Sequence, residues 1–167
     1  MNKKIERNYL EINSLIDLNE NNAYPEGYLI ELVQPENFHL NKFFYKNIGK
    51  KHRWVDRLIW NEQQWIDYVS SSNVKTYVLK NKDDLAGFCE LIFHVENKEV
   101  EIAYFGILEE YQNKKLGSFL LSEAIKKSFN ENINRVWLHT CSLDHENALK
   151  NYLARGMKIF KTEIVKI

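Results

Sequence analysis

The segment from Val100 to Leu121, VEIAYFGILEEYQNKKLGSFLL, constrains the fold most, because its hydrophobic period changes once along its length. Up to Ile107, alternate residues fall on two faces, with Glu101, Ala103, Phe105 and Ile107 on one and Val100, Ile102, Tyr104 and Gly106 on the other. Both faces are largely apolar, as in a strand interior to a sheet. From Leu116 the period lengthens to about 3.6 residues. Leu116, Leu120, Leu121, Ala124 and Ile125 then form one stripe, with Glu123, Lys126 and Lys127 outside it. An amphipathic helix packed on the strand is expected. Between the two lies Gln112-Asn113-Lys114-Lys115-Leu116-Gly117-Ser118. Free amides and the positive end of the helix dipole meet there, which makes such a turn a phosphate site.

The flanking chain supplies the rest of a sheet. Residues 7–13 and 27–33 read as strands that start it, separated by a polar, turn-rich piece that includes Asn21-Asn22 and Pro25. Pro35 is expected to open a helix carrying Phe38, Phe44, Tyr45 and Ile48 on one side, with Gly49 ending it. The basic run at 50–53 reads first as a solvated loop, with contact to phosphates as the lesser alternative. Asn61 and Gln64 have capping-box spacing between Trp60 and Trp65, which predicts a helix over about residues 62–71. Residues 74–80 and 85–95 are strands joined by the turn Asn81-Lys82-Asp83-Asp84, and a second turn at 96–98 leads into the central strand. This is an antiparallel meander. Arg135–Cys141 follows the helix expected at 116–130, and because a helix intervenes it should run parallel to the central strand. Asp144 is expected to cap a last helix that Gly156 ends, with 157–167 returning as one or two strands.

At 167 residues the chain has the length of one domain, 1–167, and can bury a core without staples. Lys plus Arg and Asp plus Glu both number 23, so no net field favours nucleic acid or an anionic membrane. Neither is expected as a partner. The first twenty residues lack the apolar core of a signal peptide, and no later run approaches a membrane span, so a cytoplasmic location is expected. Cys89 and Cys141 sit in apolar, strand-like runs and read as core thiols rather than a disulfide.

Glu101 to Ile107 resembles the strand Glu-Ile-x-(Tyr/Phe)-x-(Ala/Gly)-(Ile/Val) of the GNAT family of N-acetyltransferases, and Gln112, Lys115 and Gly117 match the Arg/Gln-x-x-Gly-x-Gly/Ala turn that follows it. Lys115 replaces the first glycine, so a positive φ is not implied by the residue there. A second ordered match lies in residues 144–157, where Ala148, Tyr152, Gly156 and Met157 fit Asn-x-x-Ala-x-x-x-Tyr-x-x-x-Gly-(Phe/Met) and His145 stands at the asparagine position. The segment WLHTCSLDH at 137–145 is similar to one little-characterised bacterial branch. The resemblance, from about residue 28 to 163, implies an α+β GNAT fold: a mixed, mostly antiparallel sheet flanked by helices, with a splayed parallel strand pair. It implies acetyl-CoA as cosubstrate, pantetheine entering the splayed gap, and no metal.

Acetyl transfer from a thioester to an amine needs a neutral nucleophile, oxyanion stabilisation and help for the departing thiolate. By the resemblance, Tyr152 assists the thiolate; otherwise it is a core aromatic. Phenol lies about 1.5 pKa units above a thiol, so hydrogen bonding rather than full proton transfer is its expected contribution. Glu101 holds the family's base position, upstream of a bulge that Gly106 would mark, and reads equally as a strand-end carboxylate facing water. Glu90, inward in an apolar strand, is the competing base and requires a partner or a raised pKa. Backbone amides at Phe105, Gly106 and Ile107 would hold the acetyl carbonyl and pantetheine, with the glycine allowing close approach. Residues 112–118 would take the diphosphate, and His145 would start the helix or touch pantetheine.

Trp54 and Arg57, with Asp56, are acceptor-side candidates, though core packing explains the aromatic residues as well. His139 and Cys141 share a strand face, but no further ligand has metal-site spacing, so His139 is read as lining the acceptor side or sitting in the core. The acceptor is a small-molecule or protein amine, and the terminal strand could pair across a two-fold axis in a homodimer. The alternative is an acetyl-CoA-binding sensor or interaction module without catalysis. A longer acyl donor is a third reading.

Overall fold

The computed structural model describes residues 3–21 and 24–167, so Asn22 of the expected turn lies outside them. Its strands are β1 (Lys4–Ile12), β2 (Tyr28–Leu32), β3 (Val74–Asn81), β4 (Asp84–His94), β5 (Glu99–Ile107), β6 (Arg135–Cys141) and β7 (Lys158–Lys166). The helices are α1 (Phe38–Gly49), α2 (Glu62–Val69), α3 (Leu116–Ser128) and α4 (Ala148–Ala154). The strands form one mixed sheet in the order β2-β3-β4-β5-β6-β1-β7.

Alternating burial divides the core between the two faces of this sheet. Leu79 and Cys89 join Leu116, Leu120, Leu121 and Ile125 beneath α3, while their neighbours Val78 and Phe88 join Phe44 and Ile48 beneath α1. The capping box of α2 forms as its spacing predicts, with Asn61 Oδ1 accepting from Gln64 N and Gln64 Oε1 from Asn61 N, both at 2.9 Å. Helix α1 starts later than Pro35. Asn37 caps it by accepting from His39 N at 3.1 Å.

β1 does not start the sheet beside β2. It lies five places away, antiparallel to β6 on one side and to β7 on the other. The connection from β1 to β2 is too long for a tight hairpin, and Leu10 and Ile12 bury their side chains in the α3 core.

The feature that places the site is the parallel pair β5–β6. It holds for three register pairs, Glu99 with Arg135, Val100 with Val136 and Glu101 with Trp137, and then ends. β5 continues along β4 to Ile107, and β6 continues along β1 to Cys141, so the sheet opens between them. The bulge lies at Ala103, not at Gly106: Glu90 pairs with Tyr104 but Leu91 with Ile102, leaving Ala103 as the extra residue. An inserted residue bends its strand and increases the twist, here just where β5 leaves β6.

Candidate active site

The opening between β5 and β6 is the floor of a cleft of about 1400 Å³ that reaches both faces of the sheet. It gathers Glu101, Phe105, Gly106, Ile107, Gln112, Asn113, Lys115, Leu116, Gly117, Ser118, His139, His145 and Tyr152, with Trp54 and Arg57 from the α1–α2 connection. Glu90 and Lys114 are not in its wall.

On the α3 side the turn has the predicted form with one difference. Lys115 adopts φ 61°, ψ 18°, the left-handed conformation a glycine would take, and Asn113 does so too at φ 62°. For a lysine this costs about 1 kcal/mol, and it sets the following amides along the axis of α3. Lys115 makes no side-chain capping hydrogen bond to them. Gly117 keeps the approach open: a Cβ there would have Asn151 Nδ2 at 3.6 Å as its nearest neighbour. Gln112 braces the turn by donating to Ile107 O at 3.3 Å, and Ser118 Oγ donates to Lys115 O at 3.0 Å. Lys114 leans outward over the Tyr111 ring, 5.3 Å from its centre. Uncapped amides at a long helix and a rim of cations fit a diphosphate.

Gly106 serves a different neighbour from the one expected. A Cβ at this position would stand 2.8 Å from Ile48 Cγ2, so the missing side chain admits α1 rather than a ligand.

Tyr152 is buried on α4, with its ring 6.3 Å from that of Phe105. Burial, then the charge of Asp144, raises its pKa above the usual phenol value. The hydroxyl therefore stays protonated at neutral pH. Asp144 does not cap α4. Its carboxylate accepts from Thr140 Oγ1 at 2.5 Å and Cys141 N at 2.9 Å, closing the turn after β6, and Asn147 takes the N-cap place. His145 Nδ1 accepts from Asn147 N at 3.1 Å, and its ring lies 6.4 Å from that of His52. In the basic run, His52 Nδ1 donates to Leu143 O at 3.1 Å, and Lys51 pairs with Glu109. The loop after α1 thus reaches across to the loop after β6.

On the α1 side the two candidate bases separate. Glu90 is fully buried and accepts from Arg57 Nη1 at 2.9 and 3.1 Å, Tyr68 Oη at 2.8 Å and Asn41 Nδ2 at 2.9 Å. Three donors, from α1, α2 and their connection, fix this carboxylate through four hydrogen bonds, outside the cleft wall. Arg57 is spent in the same pair. Burial alone would lower its pKa, but Glu90 outweighs that and holds the guanidinium charged. Its guanidinium carbon lies 4.1 Å from the Tyr68 ring centre and 4.3 Å from that of Tyr104, so Arg57 supports the wall instead of offering a free charge. Trp54 packs edge-on against Tyr104 at 4.8 Å.

Among the described residues Glu101 has a single side-chain partner, His94 Nε2 at 3.1 Å, and the His94 ring stacks on Trp137 with 19° between planes. His139 tilts over Tyr9 at 5.4 Å, and desolvation together with Arg7 lowers its pKa. Cys89 is buried, its thiol pushed up to about 12, while Cys141 is half-buried in the cleft wall; both are free. No group of three or more His, Cys, Asp or Glu among the described residues is placed to hold a metal ion, and no described helix is long and apolar enough to cross a membrane.

Sequence reasoning passed over His94, Tyr68, Tyr104 and Asn41. The short hairpin at 94–99 was the available signal for His94, since it sets that ring in register with Glu99, two residues before Glu101.

Residues 29–157 match the model of the acetyltransferase (GNAT) family, and the chain belongs to that family. No curated protein matches the sequence. Among solved structures, the fold is similar to a GCN5-related N-acetyltransferase from Sphaerobacter thermophilus, at TM-score 0.70 and 14% identity over 99% of this chain and 53% of that one. It is also similar to one from Kribbella flavida, at 0.66 and 14% over 96% and 56%. An acetyltransferase of the GNAT family from Streptococcus pneumoniae matches at 0.59 and 19% over 78% and 87%. The chain thus spans little more than half of the first two proteins.

Proposed function

We propose that this chain is an acetyl-CoA-dependent N-acetyltransferase that transfers the acetyl group directly to a primary amine of a small molecule or protein, in the cytoplasm. The observation that carries this reading is the opening between β5 and β6. It joins the uncapped amides of α3 to Glu101 on the far side of the sheet, with Tyr152 in its wall.

Acetyl-CoA would supply the activated acyl group. The amides of Leu116, Gly117 and Ser118 would hold the diphosphate, and those of residues 105–107 would orient pantetheine along the free edge of β5. Glu101 takes the proton of the acceptor ammonium, which is otherwise almost wholly charged at neutral pH. Tyr152 keeps its own proton and donates a hydrogen bond to the leaving sulfur. The outer edge of β7, where Phe160 and Ile164 are exposed, supports a homodimer formed by pairing of terminal strands.

The test is release of free thiol from acetyl-CoA with a panel of amines. Tyr152→Phe should lower kcat about 100-fold with little change in acetyl-CoA affinity. Gly117→Trp should abolish acetyl-CoA binding by filling the turn. Tight binding measured by calorimetry with no turnover on any amine would instead make the chain a binding module.

A further inference from the structure

On the cofactor side of the cleft, Arg155 carries a buried side-chain nitrogen with no hydrogen-bond partner among the described residues. The backbone of Arg155, just after α4, is committed: its N–H donates to Asn151 O at 3.0 Å and its carbonyl accepts from Asn19 N at 2.9 Å. Its side chain is not. Nε is buried without a hydrogen-bond partner, and among the described residues Arg155 enters no ion pair. A buried donor left unpaired is costly, so such a group marks either strain or a ligand.

Position favours a ligand. Asn151, one turn before Arg155, has Nδ2 3.6 Å from where a Cβ of Gly117 would stand. Asn19 Nδ2 donates to Ala154 O at 2.9 Å, and two residues on, Asn21 Nδ2 donates to Ser118 Oγ at 2.7 Å. The segment at 19–21 therefore ties the end of α4 to the start of α3, and Arg155 lines the cleft beside the phosphate turn. Lys115 and Lys150 stand exposed around it. Glu20, the acidic group of the tethering segment, is paired with Lys126. Arg155, Lys115 and Lys150 thus leave three cations without ion pairs among the described residues of this wall, against one carboxylate there, Asp144, which is occupied by Thr140 and Cys141. A guanidinium fork suits a terminal phosphate monoester, which offers two oxygens in one plane.

We propose that Arg155 recognises the 3′-phosphate on the ribose of coenzyme A. The proposal rests on the coenzyme A reading above and deepens it. Calorimetry of the full chain with coenzyme A and with 3′-dephospho-coenzyme A, for the native protein, Arg155→Gln and Arg155→Lys, tests it. The native chain should bind coenzyme A about tenfold more tightly than the dephospho form. Arg155→Gln should bind both at the dephospho level, and Arg155→Lys should keep part of the preference. A native chain without preference, or an Arg155→Gln variant that retains it, overturns the assignment while leaving the cofactor reading intact. Equal loss of both ligands in both variants also overturns it, since that is damage to the fold. Failure of the native chain to bind either nucleotide overturns the cofactor reading itself.

Discussion

Glu90 and Glu101 stand on neighbouring strands and the same face of the sheet, yet the fold uses them in opposite ways. The cross-strand partner of Glu101 is Ile92, two residues beyond Glu90. Glu90 is 0% exposed and bound by Arg57, Tyr68 and Asn41. The Glu101 side chain is 21% exposed and bound by one imidazole. A carboxylate surrounded by donors has its position fixed, so it anchors α1 and α2 to the sheet. One with a single partner and a path to water keeps oxygen lone pairs open to the cleft. Donor count, not strand position, separates the two carboxylates.

The contrast can be broken most readily at its rigid end. Arg57→Met takes the only cation away from the buried Glu90 carboxylate among the described residues and should cost about 3–5 kcal/mol in urea unfolding. A loss below about 1 kcal/mol would show that Glu90 is not held as an anchor. Next, Glu101→Gln should lower kcat/KM about 100-fold at neutral pH while leaving stability within about 1 kcal/mol of native. A variant that loses several kcal/mol of stability but, where folded, turns over normally would reverse the two roles. The smallest effect sharpens the comparison through pH. Burial first, and then Glu90, raises the Tyr68 pKa above its ordinary value of 10.0. The folded state therefore holds this proton more tightly than the unfolded chain, so the stability it contributes is complete below pH 10 and declines as pH rises beyond. Tyr68→Phe should flatten that alkaline decline in a thermal melt series.

Much of this was legible locally. The change of period at Leu116, the Arg135–Cys141 strand and the capping box of Asn61 and Gln64 all rest on neighbours in sequence, and each is found where expected. What was not legible depends on partners far along the chain. Glu90 was seen to need a partner, but nothing local points to Arg57, 33 residues away. Gly106 was read for a ligand because its neighbour Ile48 comes from another helix. Lys115 shows the limit of reading backbone conformation from residue type, since the fold imposes a positive φ on a residue that does not prefer it. Asp144 carried a helix-cap signal but closes the preceding turn instead, because Thr140 Oγ1 and Cys141 N lie within its reach.

The placement of β1 between β6 and β7 has a consequence for how the molecule is made. Lys4–Ile12 is synthesised before both strands that flank it, and the whole β2–β5 meander comes between. Until they arrive, its hydrogen-bonding edges have no native partner, and closing so long a loop is slow. Nascent chains should therefore expose an adhesive ribbon at this segment that needs shielding during translation.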